Sequence, residues 1–250
     1  MGIKIGHASI DENGKIAGGK AGDQTGKEIC TREWYSKPWN VYLVCTDPKL
    51  AEKAAKIMEQ ICANINFGYD QSQRTTGYDS ILINGISRAR GEFDCSTLIA
   101  ACYKIAGLPI SIHNTTATLR KALLDTGKFK AYTDKAHIAS DEYAKRGAIY
   151  LREGKHVVMA LENGIKVNPY PVPTRSINKG CEGDDVSYVQ FELISHGITE
   201  VIVDGKKEKL VIDGKCGPIT DAAIRAYQKK FKLKVDGDCG PITLSSFLEA

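Results

Sequence analysis

Hydrophobic residues recur at helical spacing in several stretches between residues 47 and 147. One such stretch begins at Asp47-Pro48, where Asp is a favoured N-cap and Pro a favoured first helical residue, and it predicts a helix to about Asn66. The same spacing predicts three further helices, at 93–106, 115–126 and 140–147.

Shorter apolar runs follow these helices and predict three strands, at 148–151, 156–161 and 165–168. The last two are joined through residues 162–164, which predicts a hairpin. The first 45 residues are rich in glycine with short apolar pieces, which favours strands and loops. Helices followed by an antiparallel sheet indicate an α+β domain.

Three prolines at alternate positions in 168–175, NPYPVPTR, exclude a helix there and indicate a domain edge near residue 175. We therefore expect domains at 1–175 and 176–250. The second contains an internal repeat, DGKCGPIT at 213–220 and DGDCGPIT at 236–243. Amphipathic stretches at 184–197, 221–231 and from 244 predict a small three-helix domain. The stretch 200–214 favours a β-hairpin.

Composition narrows the function classes. The net charge is +4, but no basic run is interleaved with aromatic residues, so we expect no nucleic-acid partner. No apolar run of about 18 residues occurs, so we expect no membrane insertion. The first residues lack an apolar signal region, which suggests a protein made in the cytoplasm without a secretory signal. None of the eight cysteines forms a C-x-x-C pair, so we expect free thiols and no metal or cofactor.

Cys95 stands at the first turn of the helix predicted at 93–106, in the stretch GEFDCSTLIAACYKIAG. Unpaired N–H groups and the helix dipole favour a thiolate at that position. The competing interpretation is a buried cysteine without a chemical role, and for Cys102, deeper in the same helix, that interpretation is favoured. A nucleophilic thiol also needs a base.

Of the five histidines, His156 begins an apolar strand and is the candidate base. His196 lies near a helix C-terminus, where capping is the ordinary role. His7, His113 and His137 are expected in polar loops. A helix-borne cysteine facing a strand-borne histidine is the arrangement of papain-like enzymes.

The stretch FDCSTLIAACYKIAG, followed by RGAIYLREGKHVVMALENG, resembles the catalytic core of the NlpC-type peptidoglycan hydrolases, and the segment from 6 to 35 resembles phage endolysins of that class. The resemblance covers about residues 1–170. It implies a papain-like fold in which Cys95 is the nucleophile and His156 the base. Asn168, twelve positions after His156, would orient the imidazole, provided that a three-residue loop at 162–164 brings Asn168 to the face of His156.

The same resemblance suggests three residues at the oxyanion or substrate site: Tyr69, Asp94 and Ser96. Tyr69 is the candidate near the oxyanion. Asp94 and Ser96 correspond to a segment that contacts the free amine end of the stem peptide in relatives. Helix capping is the competing role for these two side chains.

The stretch GDDVSYVQFEL and the two repeats resemble the three-helix peptidoglycan-binding domain over about 178–250. The two resemblances together imply an endolysin that cleaves amide bonds of cell-wall stem peptides and acts on the wall after release from the host cytoplasm. Two alternatives stay open. One is a catalytically inactive wall-binding or virion protein that keeps a papain-like shell, and the other is a papain-like acyltransferase.

Overall fold

The computed structural model describes residues 2–10, 13–17 and 28–247. The sequence Asp11-Glu-Asn-Gly14 favours a hairpin turn, and its first two residues lie outside the described residues. The chain divides into two compact units, Met1–Val167 and Asn168–Ala250. Each unit has its own hydrophobic core, and both combine helices with antiparallel strands.

The strands of the first unit form two sheets, one large and one small. They are β1 (Lys4–Ala8), β2 (Ile29–Glu33), β3 (Val41–Cys45), β4 (Phe67–Tyr69), β5 (Gly91–Phe93), β6 (Phe129–Tyr132), β7 (Ile149–Arg152) and β8 (His156–Ala160). In the described residues the large sheet has the order β2-β1-β8-β7-β3-β6, with antiparallel neighbours throughout. The small sheet pairs β4 with β5 in parallel. The predicted α+β class with an antiparallel sheet is confirmed.

Helices of the first unit lie between these strands along the chain. They are α1 (Pro48–Ala63), α2 (Thr76–Asn84), α3 (Cys95–Ala106), α4 (Leu119–Asp125) and α5 (Lys135–Ile138). Asp47 caps α1 as predicted, its side chain accepting from the Leu50 N–H. One face of the large sheet, with Val157 and Met159, shares a core with α1 and α3. The other face carries a second core with Trp39 and Tyr150.

Two predicted elements of this unit are wrong. Residues 140–147 form turns rather than a helix, and the short helix α5 precedes them. Residues 165–168 form no strand, because the backbone N–H groups of Gly164 and Lys166 donate to the carbonyls of Ala144 and Glu142. The expected hairpin of 156–161 with 165–168 is therefore absent, and β8 pairs instead with β1 and β7.

Elements of the second unit agree with the predicted hairpin and helices. They are α6 (Asp184–Ser195), β9 (Glu200–Val203), β10 (Lys206–Lys209), α7 (Pro218–Lys230) and α8 (Pro241–Ser246). Apolar residues of all three helices meet in one core, which also contains the cysteine of each repeat, Cys216 and Cys239.

The internal repeat has a structural basis in two buried glutamines. Gln190 Oε1 accepts from the N–H groups of Asp213 and Gly214, and its Nε2 donates to the Lys215 carbonyl. Gln228 holds the second copy in the same way, accepting from Asp236 and Gly237 and donating to the Asp238 carbonyl. Each repeated loop is therefore anchored by one amide that satisfies both donors and acceptors inside the unit.

The division between the units falls at 167/168, before the proline-containing segment and not at residue 175. Asn168 belongs to the second unit because its Nδ2 donates to the Tyr188 carbonyl and to Glu192 Oε1, both at 2.9 Å. Tyr170 packs against the second core. The alternate prolines thus lie within the second unit.

Candidate functional site

The first turn of α3 is fixed by a capping box. Asp94 Oδ1 accepts from the Thr97 N–H at 2.7 Å, and the Thr97 hydroxyl accepts from the Asp94 N–H at 2.9 Å. Ser96 Oγ donates to the same carboxylate oxygen at 2.8 Å, and Arg74 Nη1 donates to the other at 2.6 Å. Oδ1 of Asp94 therefore caps the start of the helix, and Oδ2 ties it to Arg74.

The small parallel sheet brings Tyr69 to this helix start. Tyr69 is paired with Phe93, two residues before Cys95, although the two lie far apart in sequence. Tyr69 is 4% exposed, and its hydroxyl oxygen accepts from Gln71 Nε2 at 3.1 Å. Burial raises the pKa of Tyr69 to about 12, with a smaller contribution from Cys95. The phenol thus lies in the neighbourhood of the thiol and keeps its own proton.

Cys95 is buried, with 6% of its surface exposed. Burial and, less strongly, the Asp94 carboxylate raise the pKa of its thiol to about 12. The N–H groups of Val157, Ser96 and Cys95 itself oppose this shift. Burial therefore outweighs the N–H groups of the helix start, which by themselves favour a thiolate as the sequence predicts.

His156 is the first residue of β8 and is buried among aromatic rings. Val158 and Ala160 belong to the aromatic core of the sheet, so strand alternation puts His156 on that face. Its ring is nearly parallel to Trp39, at 6.0 Å and 22°. Cys95 lies at the end of α3 where β8 begins, since the Val157 N–H acts on its thiol. The thiol is thus next to the peptide group that joins His156 to Val157.

Two side chains at this site were missed by sequence reasoning. His7 lies on β1 and is 4% exposed, so its expected place in a polar loop is wrong. Tyr35 follows β2, and its hydroxyl lies 2.9 Å from His156 Nε2 and 3.4 Å from His7 Nδ1. The available signal was the aromatic stretch WYSKPW at 34–39, which supplies Tyr35 and Trp39.

Asn168 is held by its own unit. Its Nδ2 makes the two hydrogen bonds to α6 described above, and its Oδ1 accepts from the Tyr170 N–H at 3.1 Å. Both donors and the acceptor of the amide are thereby used. The structure brings Cys95, Tyr69, Asp94, Ser96 and His156 together in the first unit, and it engages Asn168 elsewhere.

The two buried histidines make the first unit sensitive to acid. Burial, with help from Arg32 or Lys37, lowers the pKa of His7 to about 4 and that of His156 to about 3. In the unfolded chain both pKa values return to about 6.5, so below that pH the unfolded state binds protons that the folded state does not. Their contribution to stability is complete above pH 6.5 and is lost as pH falls towards the folded values.

We therefore expect the free energy of unfolding to fall between pH 6.5 and 5 by up to about 1.4 kcal/mol per pH unit for each histidine. Both tryptophans, Trp34 and Trp39, lie in the first unit, so their fluorescence during urea unfolding reports on that unit. His7→Gln should halve the slope. A wild-type stability that stays constant over this range would contradict the expectation.

Fold and site define a protein of two units, the first of which places a buried cysteine at a helix mouth beside a strand that begins with histidine. Residues 5–167 match the family model of the endolysin-like domain, and the chain belongs to that family. Residues 182–246 match the peptidoglycan binding domain. The two matches give the chain a cell-wall-related function with peptidoglycan as its partner.

One solved structure is similar to part of the chain. The crystal structure of the SleB N-terminal domain is similar at 32% sequence identity, covering 32% of this chain and 96% of that one, with a TM-score of 0.26. No curated protein matches the chain. In the described residues no helix is long and apolar enough to cross a membrane. The same residues contain no cluster of His, Cys, Asp and Glu placed to hold a metal ion.

Proposed function

We propose that the first unit is a papain-like, NlpC-type cysteine peptidase or amidase that cleaves amide bonds of peptidoglycan stem peptides. Cys95 is the nucleophile and His156 the base. The observation that carries the proposal is the thiol at the mouth of α3, next to the backbone of His156. Membership in the endolysin-like family supports peptidoglycan as the polymer on which the enzyme acts.

The ring nitrogens of His156 have different surroundings. Nε2 is in contact with Tyr35, whereas Nδ1 has no hydrogen-bond partner in the part of the chain that the structure describes. Nδ1 is also the ring nitrogen closer to the main chain of its own residue, where the Cys95 thiol lies. Nδ1 is therefore the atom that accepts the thiol proton.

Both groups are neutral at rest, because burial raises the pKa of Cys95 and lowers that of His156. The proton then moves from sulfur to Nδ1 as sulfur attacks the carbonyl carbon. The imidazolium returns this proton to the leaving amine, and a thioester remains. Water attacks the thioester, releases the carboxylic acid and restores the thiol.

Tyr69 is a candidate donor to the oxyanion. Its oxygen accepts from Gln71, and its own proton has no acceptor among the described residues. An O–H group left free in a buried site is suited to a developing negative charge. Asp94 and Ser96 act chiefly by fixing the helix start that carries Cys95.

Product analysis tests the reaction. Purified cell walls are digested in water enriched in ¹⁸O, and the released muropeptides are analysed by mass spectrometry with and without an added amine acceptor. We expect a new amino terminus and a carboxylate carrying one ¹⁸O atom. Glycan cleavage, or a product that carries the amine in place of water, would contradict the hydrolase.

One observation favours the inactive wall-binding alternative. Cys95 and His156 are 6% and 7% exposed, and two surface pockets of this unit, one beside Asn64 and one beside Leu50, include neither residue. A catalytically inactive wall-binding protein would release no muropeptides in the same experiment. The two functions are therefore separated by one measurement.

The second unit should bind the wall by itself. We expect residues 168–250 to fold and to pellet with purified peptidoglycan without degrading it, because this unit has its own core. A fragment that begins at residue 176 should be less stable by about 2 kcal/mol, since it lacks the hydrogen bonds of Asn168 and the packing of Tyr170. Sedimentation and thermal unfolding measure both. If 168–250 stays in the supernatant while the full chain pellets, binding belongs to the first unit.

A further inference from the structure

We infer that Tyr35, held by His7, is the positioning residue that fixes the proton of His156 on Nε2 and leaves Nδ1 free as a base. The inference rests on the proposed function, because it concerns the base of that reaction. It gives a role to two buried or half-buried side chains that the motif around Cys95 does not contain.

Tyr35 stands between the two imidazoles. Its hydroxyl oxygen is 2.9 Å from His156 Nε2 and 3.4 Å from His7 Nδ1. The two imidazole rings are 6.0 Å apart and nearly perpendicular, at 88°. A phenol has one proton, so it can donate to one of these nitrogens while it accepts from the other. The two hydrogen bonds therefore run in the same direction along the chain of three side chains. The donors point either from His156 through Tyr35 to His7 or the reverse way.

Only one direction suits a base at His156. If Tyr35 donates to His7 Nδ1, it accepts from the Nε2–H of His156, and Nδ1 of His156 keeps its lone pair. When Nδ1 then takes the thiol proton, Nε2–H still faces the same phenol oxygen, and nothing has to turn. In the opposite direction the phenol proton would point at Nε2, which leaves the neutral ring protonated on Nδ1.

The ring of Tyr35 is held in place from several sides. The Arg32 guanidinium carbon lies 4.7 Å and Lys37 Nζ 5.6 Å from its centroid. Trp39 Nε1 donates to the Tyr35 carbonyl at 3.3 Å, while the Trp39 ring stacks near His156. These contacts restrict the position of the hydroxyl as well as that of the imidazole.

Nitrogen-15 NMR of the full chain labelled at histidine reads the tautomer directly, and steady-state kinetics on soluble muropeptides reads its consequence. We expect wild-type His156 to carry its proton on Nε2. Tyr35→Phe should lose this preference and lower kcat about 10-fold or more, with little change in KM. His7→Gln keeps an acceptor for the phenol and should retain most activity, whereas His7→Leu should behave like Tyr35→Phe.

Tyr132→Phe is the matched control, because it removes a phenol hydroxyl from β6 at the far edge of the sheet. An unchanged tautomer in Tyr35→Phe would overturn the inference, whether or not kcat falls. An inactive wild-type enzyme would instead count against the proposed function, and the tautomer measurement would still decide the role of Tyr35.

Discussion

Replacement of Cys95 by alanine is expected to abolish lysis of cell walls while the protein stays folded. In the proposed reaction the thiol supplies the attacking atom, and alanine has no group that can replace it. Loss of a nucleophile lowers kcat by several orders of magnitude, so turbidity of a wall suspension should stay constant with this variant at concentrations at which the wild type clears it. The alanine removes one buried atom at the end of α3 and leaves the capping box of Asp94 and Thr97 in place.

Cys102→Ala is the matched control. Cys102 lies in the same helix, is fully buried and belongs to the core that includes Cys95. Its replacement should cost about 1 kcal/mol of stability and leave lysis intact. Near-ultraviolet circular dichroism checks the fold of both variants. Retention of more than about 10% of wild-type lysis by Cys95→Ala would remove Cys95 as the nucleophile.

Gly91→Ala is expected to destabilise the first unit by about 3 kcal/mol or more and to reduce lysis with it. Gly91 has φ +151°, and a Cβ there would lie 2.5 Å from the Gly77 nitrogen and 2.6 Å from the Thr76 carbonyl carbon. Backbone atoms at that distance cannot yield without moving α2 or β5. Because β5 leads directly into Asp94 and Cys95, a shifted strand also displaces the Cys95 thiol.

Gly107→Ala is the control that separates the steric overlap of a new Cβ from the cost of a positive φ. Gly107 caps α3 in a left-handed conformation, at φ +116°, and a Cβ there meets nothing within 4 Å. Its replacement should cost only about 1–2 kcal/mol. Urea unfolding followed by tryptophan fluorescence measures both variants. Equal losses would show that the contact with α2 is unimportant.

The residues around Cys95 illustrate how far local patterns lead. The helix, its N-cap at Asp94 and the strand that begins at His156 are encoded within a few residues, because capping and periodicity are local. The partners of His156 are not local. Tyr35 is 121 positions away and follows β2. It reaches the imidazole because β2 pairs with β1, and β1 pairs with β8.

The segment 165–168 shows the opposite case, in which a local pattern suggests an element that does not form. Ile165 and Val167 alternate with polar residues as in a strand, yet Ile165 is 80% exposed. The backbone of this segment is bonded to residues 142–144 instead. Alternation reports which side chains could share a face, but it does not report which backbone is near enough to pair.

The charge state of Cys95 could not be read from its place at the helix mouth for a related reason. The N–H groups that favour a thiolate are encoded in the helix start. The burial that opposes them comes from the packing of α3 against α1 and β8, which the sequence places far apart. The balance between the two effects is a property of the assembled unit.

The glutamine anchors of the second unit also determine where this chain tolerates additional sequence. Gln190 precedes the hairpin β9–β10 in the chain, and the repeated loop that it holds follows the hairpin. The segment between Gln190 and that loop therefore need not have a particular length. The hairpin reverses at Asp204 and Gly205, which both have positive φ and are both exposed. Ile202 on β9 is exposed as well. A fluorescent or affinity sequence inserted at that turn would therefore label the second unit and leave the hydrogen bonds of both repeated loops in place.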